Sequence, residues 1–125
     1  MLNASYPISF VATSNGEKAR EFYEKILGLK FNSDDQFALV FDQNGTMLRI
    51  QKVENVSPHG YTTLGWEVSD IKNELIDLKK RGVKFEQYEG LGQDEYGIWN
   101  APSGAKIAWF KDPDGNILSL TQFVA

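Results

Sequence analysis

Two charged residues, Arg49 and Glu67, lie in segments of alternating apolar character, where a charge needs a reason. A guanidinium keeps its charge and offers five donors in a fork, so Arg49 could hold a carboxylate or a phosphate. Glu67 could act as a general base if burial raised its pKa. The plainer alternatives are an internal Arg49–Glu67 pair, or a Glu67 that is salt-bridged or partly exposed. Gln51 stands two residues beyond Arg49 and shares its face, because side chains alternate along a strand. A further candidate region is the polar, glycine-containing stretch 88–104. Long loops in compact domains are often lids or binding loops. Tyr88, Tyr96 and Trp99 could stack on a flat ligand, while Asp94 and Glu95 could meet a cation or a donor. Equally, Ile98 and Trp99 could close one end of the fold and leave the acids in water.

Other chemistries are excluded. The sequence has no cysteine, which removes disulfides, thiolate nucleophiles and cysteine-based zinc sites. Its one histidine, His59, falls in a polar segment, 54–60, that reads as a linker. The net charge of −4 comes from acids and bases spread along the chain. Without a basic stripe, nucleic acid is not an expected partner. No apolar run approaches the length of a membrane span, and residues 1–7 lack the pattern of a signal peptide. A cytoplasmic protein that binds a small organic molecule, anionic or aromatic, is the expectation. The aromatic share of 13% suits both a core and a lined pocket.

The elements that must position these residues can be read in order. Residues 7–13 are expected as a strand. Ser14-Asn15-Gly16-Glu17 has a capping-box pattern, with Ser14 as the expected cap. Ala19, Phe22, Tyr23, Ile26 and Leu27 then form one apolar helical stripe, closed by Gly28. Phe37 to Asp42 reads as a strand covered on both sides. Asn44-Gly45 is a strong hairpin signal, and Thr46 to Val53 reads as the return strand. The pattern then restarts: a strand over 61–68, Ser69-Asp70 as cap, and Ile71, Leu75 and Leu78 as a second helical stripe. Gly82 follows, then Val83-Lys84-Phe85 as a strand. A final hairpin spans 105–111 and 116–123.

This is an internal repeat. Ser14-Asn15 matches Ser69-Asp70 at an offset of 55, and Gly28-Leu29-Lys30-Phe31 matches Gly82-Val83-Lys84-Phe85 at an offset of 54. One βαβββ unit is too small to bury its sheet well alone. The sequence therefore predicts a single α+β domain over 1–125. Two tandem βαβββ modules, about 7–53 and 61–123, would form a curved, partly closed mixed sheet with helices on the convex side. Alternation then turns Phe10, Arg49, Gln51, Thr63, Gly65, Glu67, Ser119 and Thr121 toward the groove. It turns Leu48, Ile50, Leu64, Trp66, Val68, Leu118 and Leu120 toward the helices.

Phe22-Tyr23 with Leu27-Gly28-Leu29, Trp66-Glu67-Val68-Ser69-Asp70, and Trp109-Phe110-Lys111-Asp112-Pro113-Asp114-Gly115-Asn116 together resemble the vicinal-oxygen-chelate superfamily. Its members include glyoxalase, bleomycin-resistance and ring-cleaving dioxygenase relatives. The resemblance runs from about residue 7 to 123 and implies the same paired βαβββ modules. It also implies a divalent metal acting as a Lewis acid, held from inward strand positions. Those positions correspond to Ile8, Arg49, Thr63 and Ser119. None is a good ligand for a hard cation, zinc or iron, so no metal and no other cofactor is expected. The Gln93-Asp94-Glu95 to Gly97-Ile98 stretch resembles an element of an uncharacterised branch of the superfamily.

Three functions follow as expectations. The first is a metal-independent small-molecule binder, like the drug-sequestering members, which the resemblance implies is a homodimer. The second is a lyase or isomerase-type enzyme using Arg49 and Glu67, or a non-standard metal site. The third is a regulatory or structural module with a filled groove. The binding candidates are Phe10, Arg49, Gln51, Thr63, Tyr88, Asp94, Trp99 and Ser119, with Glu67 as the candidate base.

Overall fold

A computed structural model describes residues 1–124. It shows an α+β chain of two compact units, the first Met1–Pro58 and the second beginning at His59. Each unit holds a four-stranded mixed sheet, and neither sheet closes into a barrel.

In the first unit, β1 (Ile8–Thr13), β2 (Lys30–Asp34), β3 (Ala38–Gln43) and β4 (Thr46–Lys52) lie in the order β1-β4-β3-β2. β1 runs parallel to β4, and the other pairs are antiparallel. Asn44 and Gly45 take φ of 50° and 92°, as the tight turn between β3 and β4 requires. Val11, Leu39, Phe41, Leu48 and Ile50 stand on one face and are buried. Tyr23 joins them, its ring 6.2 Å from Phe41. Phe31, 5.5 Å from Phe41, is covered from outside by the Arg20 guanidinium 3.7 Å from its ring centre. Ala38, Leu39, Val40 and Phe41 are all buried, as expected of a strand covered on both sides. Phe37 is not part of it: it precedes β3 and is exposed.

The first helix departs from expectation twice. Its cap is Asn15, not Ser14: Asn15 has extended backbone angles, and its Oδ1 accepts the Lys18 amide at 3.1 Å. The helix α1 (Gly16–Arg20) then continues as a π-helix over Glu21–Ile26, with the Leu27 amide bonded five residues back to the Phe22 carbonyl. In the second unit Asp70 caps α2 (Ile71–Lys80) in the same way, its carboxylate accepting the Asn73 amide. Thirteen residues separate Asn15 from Gly28, but twelve separate Asp70 from Gly82. A π turn takes up one extra residue without moving the apolar stripe that follows. The slip in the repeat offset from 55 to 54 is this residue.

The second unit contains β5 (Thr62–Glu67), β6 (Trp99–Asn100), β7 (Lys106–Lys111) and β8 (Ile117–Gln122) in the order β5-β8-β7-β6. The arrangement repeats the first unit strand for strand. α2 packs on β7 and β8 through Ile71, Leu75 and Leu78, and Trp66 stacks on Phe110 at 6.4 Å. Asp112-Pro113-Asp114-Gly115-Asn116 is turn chemistry: the buried Asp112 carboxylate accepts the amides of Asp114 and Asn116 and the Asn116 side chain.

The edge strand is where the units differ. The expected strand Val83-Lys84-Phe85 is reduced to a single bridge, Phe85 to Phe110. Backbone pairing along that edge resumes only at Trp99–Asn100, inside the stretch expected to be loop. Twenty-five residues separate Phe85 from its partner Phe110, against ten between Phe31 and Phe41. The second unit therefore carries fifteen additional residues within its edge. Among the described residues, no helix is long and apolar enough to cross a membrane.

Candidate functional site

Alternation in the second sheet sends Phe110, Ala108, Leu118 and Leu120 into the core and Trp109, Ser119 and Gly65 to the opposite, open face. The registers align Trp109 with Ser119 and Ser119 with Gly65. The absence of a Cβ at Gly65 leaves room for Ser119 Oγ, which would have to move if one were added. Beside these small residues Trp109 forms part of a concavity of about 430 Å³. Gly60, Tyr61, Thr62, Tyr88, Leu91, Trp99 and Ile117 complete its lining.

Three of the rings form a connected wall, and Tyr61 lines the space beside them. Tyr88 meets Trp109 edge-on at 5.7 Å, and Trp99 lies 6.1 Å from Trp109 at 32°. Tyr61 stacks on His59 at 4.9 Å, with the ring planes 2° apart. Trp109 Nε1 donates to Thr62 Oγ1 at 3.1 Å. Among the described residues, no charged side chain lines this space. Tyr88 is held in its protonated form: burial pushes its phenol pKa up, and the nearby Glu86 carboxylate adds to the rise. The wall thus offers π faces and neutral donors, the combination that suits a flat organic molecule.

The inserted segment is pinned rather than loose. Gln93 Oε1 accepts the Tyr88 amide at 2.6 Å, and its Nε2 donates to the carbonyls of Glu86 and Gly97 at 2.9 and 2.7 Å. Asp94 Oδ1 accepts the amides of Tyr96 and Ile98, and Gln87 donates to the Asp94 carbonyl. Asp94 therefore organises its own loop. It lines a separate, polar cavity of about 440 Å³ with Lys72, Tyr96, Asn100, Lys106 and the start of α2.

The structure brings together Tyr88 and Trp99 among the residues singled out from sequence. Ser119 is on the same sheet face but buried. Thr63 is the extra residue of a bulge between Thr62 and Leu64, so Thr62 rather than Thr63 pairs with Ile117 and lines the cavity. Glu67 is exposed at the end of β5. Phe10, Arg49 and Gln51 belong to the first unit, where Arg49 aligns with Phe10 on one side and Val40 on the other. Arg49 does not wait for a ligand unpaired: its Nη2 donates to Asp35 Oδ2 at 3.0 Å. The amides of Phe37 and Ala38, and then Arg49, hold the Asp35 carboxyl below its ordinary pKa. The acid that pairs with Arg49 is thus Asp35 of its own unit, which the sequence reading did not single out.

Trp109, Tyr61, Thr62, Leu91 and Ile117 were not singled out as site residues. Trp109 had a signal, since it alternates with Ala108 and Phe110. The run Ile107-Ala108-Trp109-Phe110 is apolar throughout, however, and hides the period of two.

The positions at which the superfamily resemblance implies a metal do not fit one. Ile8 offers no donor atom, and Arg49 is a cation already paired with Asp35. Thr62 and Thr63 compete for the third position, and Ser119 is the fourth; all are neutral hydroxyls. Among the described residues, no three His, Asp or Glu side chains converge as a metal site requires.

Comparison with known proteins agrees with this architecture. No curated protein sequence matches the chain. Among solved structures, a member of the glyoxalase/bleomycin resistance protein/dioxygenase superfamily from Sphaerobacter thermophilus is similar, with a TM-score of 0.76 and 26% identity, over 98% of this chain and 99% of that one. TnmS3, an antibiotic binding protein from a Streptomyces species, matches with a TM-score of 0.70 and 25% identity over 95% of both chains. A lactoylglutathione lyase from Agrobacterium tumefaciens shares the fold at a TM-score of 0.73, with 13% identity over 95% of this chain and 93% of that one. The model of the Glyoxalase/Bleomycin resistance protein/Dioxygenase superfamily matches residues 8–120, and the chain belongs to that family.

Proposed function

We propose that this protein binds a small, flat organic molecule without a metal, in the aromatic concavity of its second unit. The observation that carries this reading is the uncharged wall of Tyr61, Tyr88, Trp99 and Trp109 around about 430 Å³. That volume lies within the range of ordinary ligand sites. The likeness to an antibiotic binding protein supports it. An anionic ligand is disfavoured, because no cation lines the space and Arg49 is paired with Asp35. An enzymatic role for Glu67 finds no support in its exposed position.

A cytoplasmic homodimer is part of the reading. On the open face of the first sheet, Ile8 aligns with Met47, and Ile8, Phe10 and Met47 remain 49%, 55% and 39% exposed. An apolar face of this kind is usually covered by a partner. Light scattering should give twice the chain mass; a monomer at micromolar concentration would remove this part.

Calorimetric titration with planar bicyclic and tricyclic compounds tests the main claim. Saturable binding that survives a chelator is expected. Absence of binding, or binding that needs added divalent metal, would overturn it.

A further inference from the structure

We propose that Thr62 is a specificity determinant of the aromatic concavity, whose hydroxyl selects flat ligands carrying a hydrogen-bond acceptor at their edge. This rests on the reading that the concavity is the binding site.

A threonine hydroxyl has one hydrogen to donate and lone pairs that accept. In this structure the accepting side is used by the indole of Trp109, at 3.1 Å. Thr62 donates to no other described group. Its own O–H is therefore left for whatever fills the concavity that it lines. Trp109 does more than supply a π face: by donating into the hydroxyl, it sets which part of Thr62 remains to be read. The bulge after Thr62 gives the residue this place, since it puts Thr62 opposite Ile117. Without ligand, water can take the proton. A ligand that expels the water without replacing its acceptor leaves a buried donor unmade, which costs affinity. A carbonyl or ring nitrogen at that edge restores the bond.

Charge narrows the class further. An anion brings acceptors too, but no cation lines the concavity to offset its desolvation. The ligand class is thus a flat, uncharged ring system with an edge acceptor.

Three probes built on a fused bicyclic frame test this: coumarin (neutral, with a carbonyl), naphthalene (neutral, without an acceptor) and 2-naphthoate (anionic). Their affinities are measured from the indole N–H signals of 15N-labelled protein. The affinity of coumarin relative to naphthalene is expected to fall about tenfold in Thr62→Val, which keeps the shape, the effect of one hydrogen bond to a neutral donor, and to be kept in Thr62→Ser. Naphthoate is expected to bind most weakly. A relative affinity that Thr62→Val leaves unchanged, or naphthoate binding tightest, would overturn the inference while leaving an aromatic site in place. No binding of any probe would overturn the site and the inference together.

Discussion

The two units place related strands in the same order, yet their open sheet faces are put to different use. In the first unit, Phe10 and Arg49 are aligned neighbours, and Arg49 is held by Asp35 from the short turn before β3. In the second, the aligned pair is Gly65 and Ser119, whose small side chains leave Trp109 free beside a hollow. The fifteen additional residues in the second edge supply Tyr88 and Leu91 as its far wall. One frame therefore gives a bare face or a lined cavity, depending on one edge insertion and on side-chain size at two aligned positions.

The sharpest way to break this comparison is to shorten each helix by one residue. Deleting exposed Glu74 from α2 rotates Leu75 and Leu78 out of phase with Ile71 and should cost about 3 kcal/mol or more in denaturant unfolding. Deleting exposed Lys25 from the π segment removes the extra residue and should restore an α-helix at a cost of about 1 kcal/mol or less. Equal losses would mean that the π turn is not a one-residue insertion.

Next in size is the aromatic wall. Trp109→Ala should weaken binding of a planar probe by about 1–3 kcal/mol, the range for losing one stacking ring, whereas Phe10→Ala should leave it unchanged. An equal effect of both would move the site away from the second unit. Smaller again is the floor. Gly65→Ala should cost about 1 kcal/mol through its collision with Ser119 Oγ, and most of that should disappear in a Ser119→Ala background. The smallest effect is acid dependence in the first unit. Asp35 is held below its ordinary pKa, so its contribution is present above the usual carboxylate range and fades as pH falls through the lowered value. The stability gap between the unaltered protein and Asp35→Asn should narrow as pH falls below the usual carboxylate range; a gap that widens on acidification would have the wrong sign.

Much of this frame was legible in the residues. Asp70, Gly28 and Gly82, and Asn44-Gly45 each demand a local geometry, and the structure shows those geometries; the first cap falls one residue later than expected, on Asn15. Period-two alternation separated Arg49 from Ile50, and Ser119 from Leu120, because polar and apolar residues truly alternate there. It failed at Trp109, where both faces are apolar, and at Trp99–Asn100, too short to show any period. The bulge at Thr63 shifts which threonine faces the cavity by one residue, and only backbone pairing reveals it. Arg49 looked free because Asp35 sits in a turn, where sequence periodicity carries no contact information.

The most direct measurement is the response of the three tryptophan indoles to a planar neutral probe. Trp99 and Trp109 line the concavity, while Trp66 stacks on Phe110. Titration should shift the Trp99 and Trp109 N–H signals in step with saturation and leave Trp66 nearly still. Shifts confined to Trp66 or to backbone amides of β1 and β4, or no saturable shift with any planar compound, would contradict the account.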